Sequence, residues 1–188
     1  MNLSVPVHHS TEGPEQALEL DWFGQAARYP ASFRLSLQDG LLTYSFSALK
    51  TPECEITHQA GDFVEGLWER DVAELFVMGP LGEYQEFNLS PRGAWWCAVF
   101  SGYRQRAAVL PCPSAQVWAE WGDGFWSARL SVDINDLPVL QGQGLQEARL
   151  NVTAILNPDQ PEYLCFGHQG GGDPDFHRAE NFLPVDLG

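Results

Sequence analysis

Polar and apolar residues alternate with a period of two along most of this chain, the pattern of half-buried β-strands. Phe33, Leu35 and Leu37 alternate with Ser32, Arg34 and Ser36, and in the run 41–49 Leu42, Tyr44 and Phe46 share one face. The Asp39-Gly40 pair between these runs predicts a hairpin turn. From Val72 to Met78 nearly every position is apolar, which predicts a strand buried on both faces; Glu74 is the exception inside it. After a turn at Gly79–Gly82, Tyr84, Glu86, Asn88 and Ser90 fall on one face, and Gln85, Phe87 and Leu89 on the other. Pro91-Arg92-Gly93 turns the chain into Ala94–Phe100. Further strands are predicted over Ala115–Trp121, Phe125–Val132 and Ala148–Leu156, with a last one near Phe182–Leu187. Trp126, Ala128, Leu130 and Val132 face inward on the second of these.

Helical periodicity is nearly absent. Pro14–Ala27 is a weak helix match, and Asp133–Leu137 reads as a short helical turn or connection. Many short strands separated by Gly/Pro turns, with no repeat and no linker, predict an all-β antiparallel sandwich. The 188 residues suit one domain, 1–188, with a sizeable core. The Gly-, Pro- and His-rich stretch 167–181 predicts a long loop.

Composition narrows the partners. Ten Lys and Arg against 25 Asp and Glu give a formal charge of −15. That argues against nucleic acid and anionic membrane surfaces, which need clustered cations; it reads as plain solubility or as a preference for neutral or cationic ligands. No stretch approaches the roughly 20 apolar residues of a membrane span. The first residues carry neither a basic flank nor an apolar run, so a cytoplasmic home is expected. Cys54, Cys97, Cys112 and Cys165 lack paired CxxC spacing, and reduced thiols are the expectation for that compartment.

Candidate chemistry concentrates in Leu67–Arg104, where Glu69, Asp71, Glu74, Glu83 and Glu86 stand among aromatic residues. An unpaired charge buried at Glu74 would be costly. Either a cation such as Arg70 or Arg104 neutralises it, or it lines a pocket. Glu86 and Asn88 share a face with Tyr84 and Ser90, a row of donors and acceptors suited to sugar hydroxyls or simply a solvated strand face. Trp68 either offers a sugar ring its flat face or caps the core; Trp22, Trp96, Trp121 and Trp126 read as core residues. Arg104 would clamp a ligand or, the favoured reading, pair with Glu74 or Glu86. A pair of carboxylates also fits a glycosidase, and His168, His177, Asp173 and Asp175 are metal candidates without a zinc or EF-hand spacing. Nucleotide-binding glycine loops, GxSxG and HExxH are absent from the sequence.

The blocks LWERDVAELF, YQEFNLSPRG with the following aromatic strand and GYR, and PDFHRAENF occur in this order. Together they resemble DOMON-like proteins related to family 9 carbohydrate-binding modules, over Leu67–Leu187. The resemblance implies a β-sandwich that binds a saccharide or sugar-like small molecule without catalysis. Trp68 and Glu74, six residues apart as in those modules, would form the slot, with Glu86 and Asn88 on the next strand. The modules close the slot with a second tryptophan near the C-terminus. This chain has no Trp after Trp126, so Phe176 and His177 would cover the site and Arg104 would orient the acids. The alternatives are an enzyme using Glu74 or Glu86 as acid/base with His177, a haem-binding DOMON module, and a protein whose pocket is purely structural; haem and calcium are the cofactor candidates, and no cofactor is the expectation.

Overall fold

The computed structural model describes residues 3–10, 13–108, 112–167 and 171–188. Its strands are β1 (Val5–Pro6), β2 (Gln16–Ala17), β3 (Ala31–Gln38), β4 (Leu41–Ala48), β5 (Val72–Met78), β6 (Tyr84–Leu89), β7 (Trp95–Gly102), β8 (Gln105–Arg106), β9 (Ala115–Gly122), β10 (Phe125–Asp133), β11 (Arg149–Leu156), β12 (Glu162–Cys165) and β13 (Leu183–Asp186). They form two sheets, ordered β1-β13-β11-β5-β6-β7-β8, with β12 also on β11, and β2-β3-β4-β10-β9. Every strand pair is antiparallel except β1 with β13. The chain is an all-β sandwich, as its alternation predicts.

Local chemistry explains the turns. Asp39 and Gly40 both adopt positive φ, 51° and 80°, which is what a two-residue hairpin turn with right-handed strand twist demands. Asp133 caps the 3-10 turn Ile134–Asp136 by accepting from Asn135 N–H, in the region where a short helical connection was expected. The helix considered over Pro14–Ala27 is not formed. Residues Gln16–Ala17 pair with β3, and Asp21 accepts backbone N–H bonds from Phe23 and Gln25, a side-chain turn that competes with helix.

The inward rows of the two sheets make the main core. Ala73, Leu75, Val77, Phe87, Leu89, Val152 and Ala154 meet Phe33, Leu35, Leu42, Tyr44, Phe46, Trp126 and Leu130. Each large apolar side chain fully buried here stabilises the fold by about 1.5–3 kcal/mol. The other face of the larger sheet is buried as well. Trp22, Phe76, Tyr84, Phe100, Phe176 and Phe182 form one apolar cluster there, and Leu67, Val72, Ala94 and Trp96 another. That second layer is why β5 reads as apolar throughout.

Two expectations require correction. Cys97 and Cys112 form a disulfide, so these two are not the reduced thiols expected; Cys165 is a buried thiol donating to Asn151 Oδ1. Trp121 is 41% exposed and carries the Arg92 guanidinium over its ring instead of filling the core. Among the described residues, no helix is long and apolar enough to cross a membrane.

Candidate functional site

The strand registers bring the predicted residues together. One row across the larger sheet runs Thr153–Glu74–Asn88–Trp96, and the next runs Asn151–Phe76–Glu86–Ala98. A third, Arg149–Met78–Tyr84–Phe100–Arg106, follows. All these side chains leave the face turned away from the sandwich core. Glu74 and Glu86 are thereby diagonal neighbours on adjacent strands, roughly 7–8 Å apart and somewhat less at Cβ.

Above this floor lies a cavity of about 580 Å³, the size of a small-molecule site. Trp68, Glu74, Glu86, Arg104, Phe176 and His177, all expected from the sequence, line it. Asn88 does not. It lies beneath, fully buried, and donates from Nδ2 to Glu86 Oε1 at 3.0 Å, so it orients an acid instead of facing the opening. Trp96 is buried in the second apolar cluster, as read from the sequence, and also lines the cavity, packed edge-to-face on Trp68 at 5.3 Å.

Phe76, Phe100, Arg106, Ile155, Tyr163 and Pro174 also line the wall and were not among the candidates from sequence. Arg106 follows the β7–β8 turn and lays its guanidinium on the Trp96 ring, 4.6 Å from the centroid. Tyr163 stands on β12, a four-residue strand whose only sequence signal is the short β-prone run YLCF. Phe100 was inside a predicted strand, but alternation alone does not say that its outward face is covered.

The tail loop forms the opposite wall and is pinned at several points. Phe176 O accepts from Asn151 Nδ2 at 3.0 Å, and the Phe176 ring packs on Trp22 and Tyr163. Asp175 takes Tyr103 Oη–H at 2.5 Å and Arg104 Nη2–H at 2.9 Å. Arg104 thus pairs with Asp175, not with Glu74 or Glu86 as expected from sequence. Its backbone holds φ 53°, a conformation that non-glycine residues adopt rarely. Asp175 is committed to Arg104, Tyr103 and Arg178, which leaves little of it for a calcium ion. Among the described residues, no group of three or more His, Cys, Asp or Glu gathers as a metal would require. His168 lies outside the described residues.

Burial sets the protonation. Glu74 is 3% exposed and Glu86 5%. Burial pushes Glu74 up to about 8, reinforced by the neighbouring Glu86, against a lowering hydrogen bond from Thr153 Oγ1. Glu86 rises to about 7, again by burial first. His177 falls to about 4 because burial and the Arg104 charge both oppose its cation. Its Nδ1 meets Tyr84 Oη at 2.9 Å. Tyr84 Oη accepts Arg104 N–H, burial pushes the phenol up to about 12, and which partner donates in the bond to His177 depends on the imidazole tautomer. The other ring nitrogen of the neutral imidazole, Nε2, stands 3.9 Å from Glu86 Oε2. The pocket therefore combines aromatic walls, two carboxyl groups near their titration point at neutral pH, and a neutral imidazole.

No protein-family model matches the chain, and none of the curated proteins matches it by sequence. Solved structures do share its fold. A Bacteroides uniformis ATCC 8492 protein to which carbohydrate binding has been ascribed aligns with TM-score 0.75 and 16% identity, over 100% of this chain and 99% of that one. A family 9 carbohydrate-binding module from Caldicellulosiruptor kristjanssonii aligns in its glucose complex with TM-score 0.61 and 8% identity, over 98% of this chain and 96% of that one. Its cellotriose complex gives TM-score 0.63 and 7% identity, over 98% and 93%. The chain thus has the β-sandwich of family 9 carbohydrate-binding modules. At these identities the likeness is one of fold.

Proposed function

We propose that this chain binds a saccharide or sugar-like small molecule non-covalently in the cavity between the larger sheet and the tail loop. The observation that carries the reading is the convergence of Trp68, Glu74, Glu86, Arg104 and His177 on one cavity that also has the neighbours' carbohydrate-binding fold. Trp68 and Tyr163, the half-buried rings of the wall, offer apolar faces to sugar C–H groups. Glu74 and Glu86 accept hydroxyl protons, and His177 Nε2, beside Glu86, supplies a further polar contact. Arg104 fixes the tail loop through Asp175. Phe176 is mostly covered by Trp22 and Tyr163, so it shapes the cavity more than it stacks.

The raised pKa values of Glu74 and Glu86 favour one further reading, an enzyme with either acid as proton donor and His177 as partner. Both carboxyls rise from the same floor, whereas glycoside cleavage places them on either side of the scissile bond; binding is the better fit. Titrating mono- and oligosaccharides into the protein while following tryptophan fluorescence separates the two. Binding without product release supports the module, and product release abolished in Glu74→Gln supports the enzyme. If no saccharide perturbs the fluorescence at millimolar concentration, the saccharide reading fails.

A further inference from the structure

Of the three carboxyl groups that line the cavity, Asp175 is paired with Arg104, whereas Glu74 and Glu86 have no hydrogen-bonded cation among the described residues. Glu74 is held by Thr153 Oγ1 and Glu86 by Asn88 Nδ2, both uncharged donors. The two arginines on the wall are engaged by other acids. Arg104 binds Asp175 Oδ1 at 2.9 Å, and Arg106 binds Glu65 Oε1 at 2.7 Å while lying on Trp96. His177, the remaining basic group of the wall, is held neutral. Asp175 is shared between Arg104 and Arg178, so ionised Glu74 and Glu86 still leave one negative charge that the surrounding arginines do not balance, and neither acid has a hydrogen-bonded cation among the described residues.

A neutral sugar can satisfy the lone pairs of these acids but not their charge. An ammonium does both: it brings three donors on one compact cation. Two carboxylates that are diagonal neighbours on a sheet can close on one such group, and bonds of that kind are shorter and about twice as strong as neutral ones. The surrounding rings favour the same occupant, because aromatic faces attract cations. Trp68, Trp96, Phe76, Phe100 and Tyr163 all border the cavity.

We propose that the natural ligand is a saccharide bearing a free, protonated amino group, seated between Glu74 and Glu86. This rests on the saccharide reading and narrows it to amino sugars. N-acetylation removes the charge and adds bulk, so the acetylated forms bind worse than the free amines. Sugar acids are excluded by the same two carboxylates.

Calorimetry on the full chain at neutral pH tests this with glucosamine, galactosamine and mannosamine, each beside its neutral parent and its N-acetyl form. At least one amine binds about tenfold more tightly than its neutral parent, the gain expected when a neutral hydrogen bond becomes charge-assisted. In Glu74→Gln and Glu86→Gln the ratio of amine to parent affinity falls toward one. Should either variant fail to fold, the wild type still decides. Seating an ammonium between partly protonated acids releases protons, read as a dependence of the binding heat on buffer ionisation enthalpy. Parent sugars binding as tightly as the amines, an unchanged ratio in the folded variants, or no proton release overturns this inference while leaving saccharide binding intact. Absence of binding by every sugar overturns both.

Discussion

Replacing Glu74 by Gln should make the protein more stable at mildly alkaline pH and change little in acid. A carboxyl group whose folded pKa lies above its unfolded one is protonated in both states below the unfolded value, and there it exacts no penalty. As pH rises through the ordinary value of 4.5 the unfolded chain releases the proton first, so stability falls until the folded value is passed. For Glu74 that window runs from about 4.5 to about 8. Glu86 adds a second decline from about 4.5 to about 7. Each pKa unit is worth about 1.4 kcal/mol. Allowing for relaxation and water entry, the penalty at Glu74 is on the order of 3 kcal/mol at its upper end. Gln keeps the shape and can still accept from Thr153 while discarding the charge. The difference in melting temperature between variant and wild type should therefore grow by roughly 5–10 °C between pH 5 and pH 8, at about 2–4 °C per kcal/mol for a chain of this size. Thermal unfolding followed by circular dichroism across that range measures it. Parallel curves, with a constant difference at every pH, would refute the claim that Glu74 is buried without a counter-charge.

Further outcomes follow from neighbouring contacts. Asp71 is wholly buried, bonded to Lys50 Nζ at 2.6 Å and to the backbone N–H of Glu53 and Asn157. Asp71→Asn leaves Lys50 with Glu53 alone and should destabilise by about 3 kcal/mol, read by urea unfolding. Trp68→Ala should weaken saccharide binding at least tenfold in calorimetry, with a smaller effect on melting because Trp68 is only half-buried. Tyr84→Phe removes the hydroxyl bonded to His177 Nδ1 and to Arg104 N–H and should cost about 1 kcal/mol in stability, read by urea unfolding. Non-reducing peptide mapping should recover Cys97 linked to Cys112, and reduction of a 15-residue loop should lower stability by about 3 kcal/mol.

The β-architecture was legible because β3, β4, β10 and much of β5–β7 obey strict alternation or continuous burial. The site was legible where a residue broke its strand's pattern. Glu74 interrupts an apolar run, and a charge there must be paired or line a pocket. The other four acids of that stretch show the limit of the same signal. Glu86 faces the cavity, but Asp71 is locked to Lys50, while Glu69 is exposed and Glu83 only half-buried. Partners distant in sequence were not legible. Arg104 meets Asp175 across 71 positions, and Trp96 becomes a wall only because the tail loop and the Trp68 turn cover that face. The Cys97–Cys112 link depends on where the segment before β9 returns to β7, which residue spacing does not encode.

The central claim is that ligand binding occurs at this cavity, and tryptophan-resolved NMR addresses it most directly. With 5-fluorotryptophan incorporated at all seven tryptophans, titration of a bound saccharide should shift the Trp68 and Trp96 resonances. Trp118, Trp121 and Trp126, on the opposite sheet, should stay fixed. Shifts confined to the opposite sheet, or none at saturating saccharide, would contradict the account.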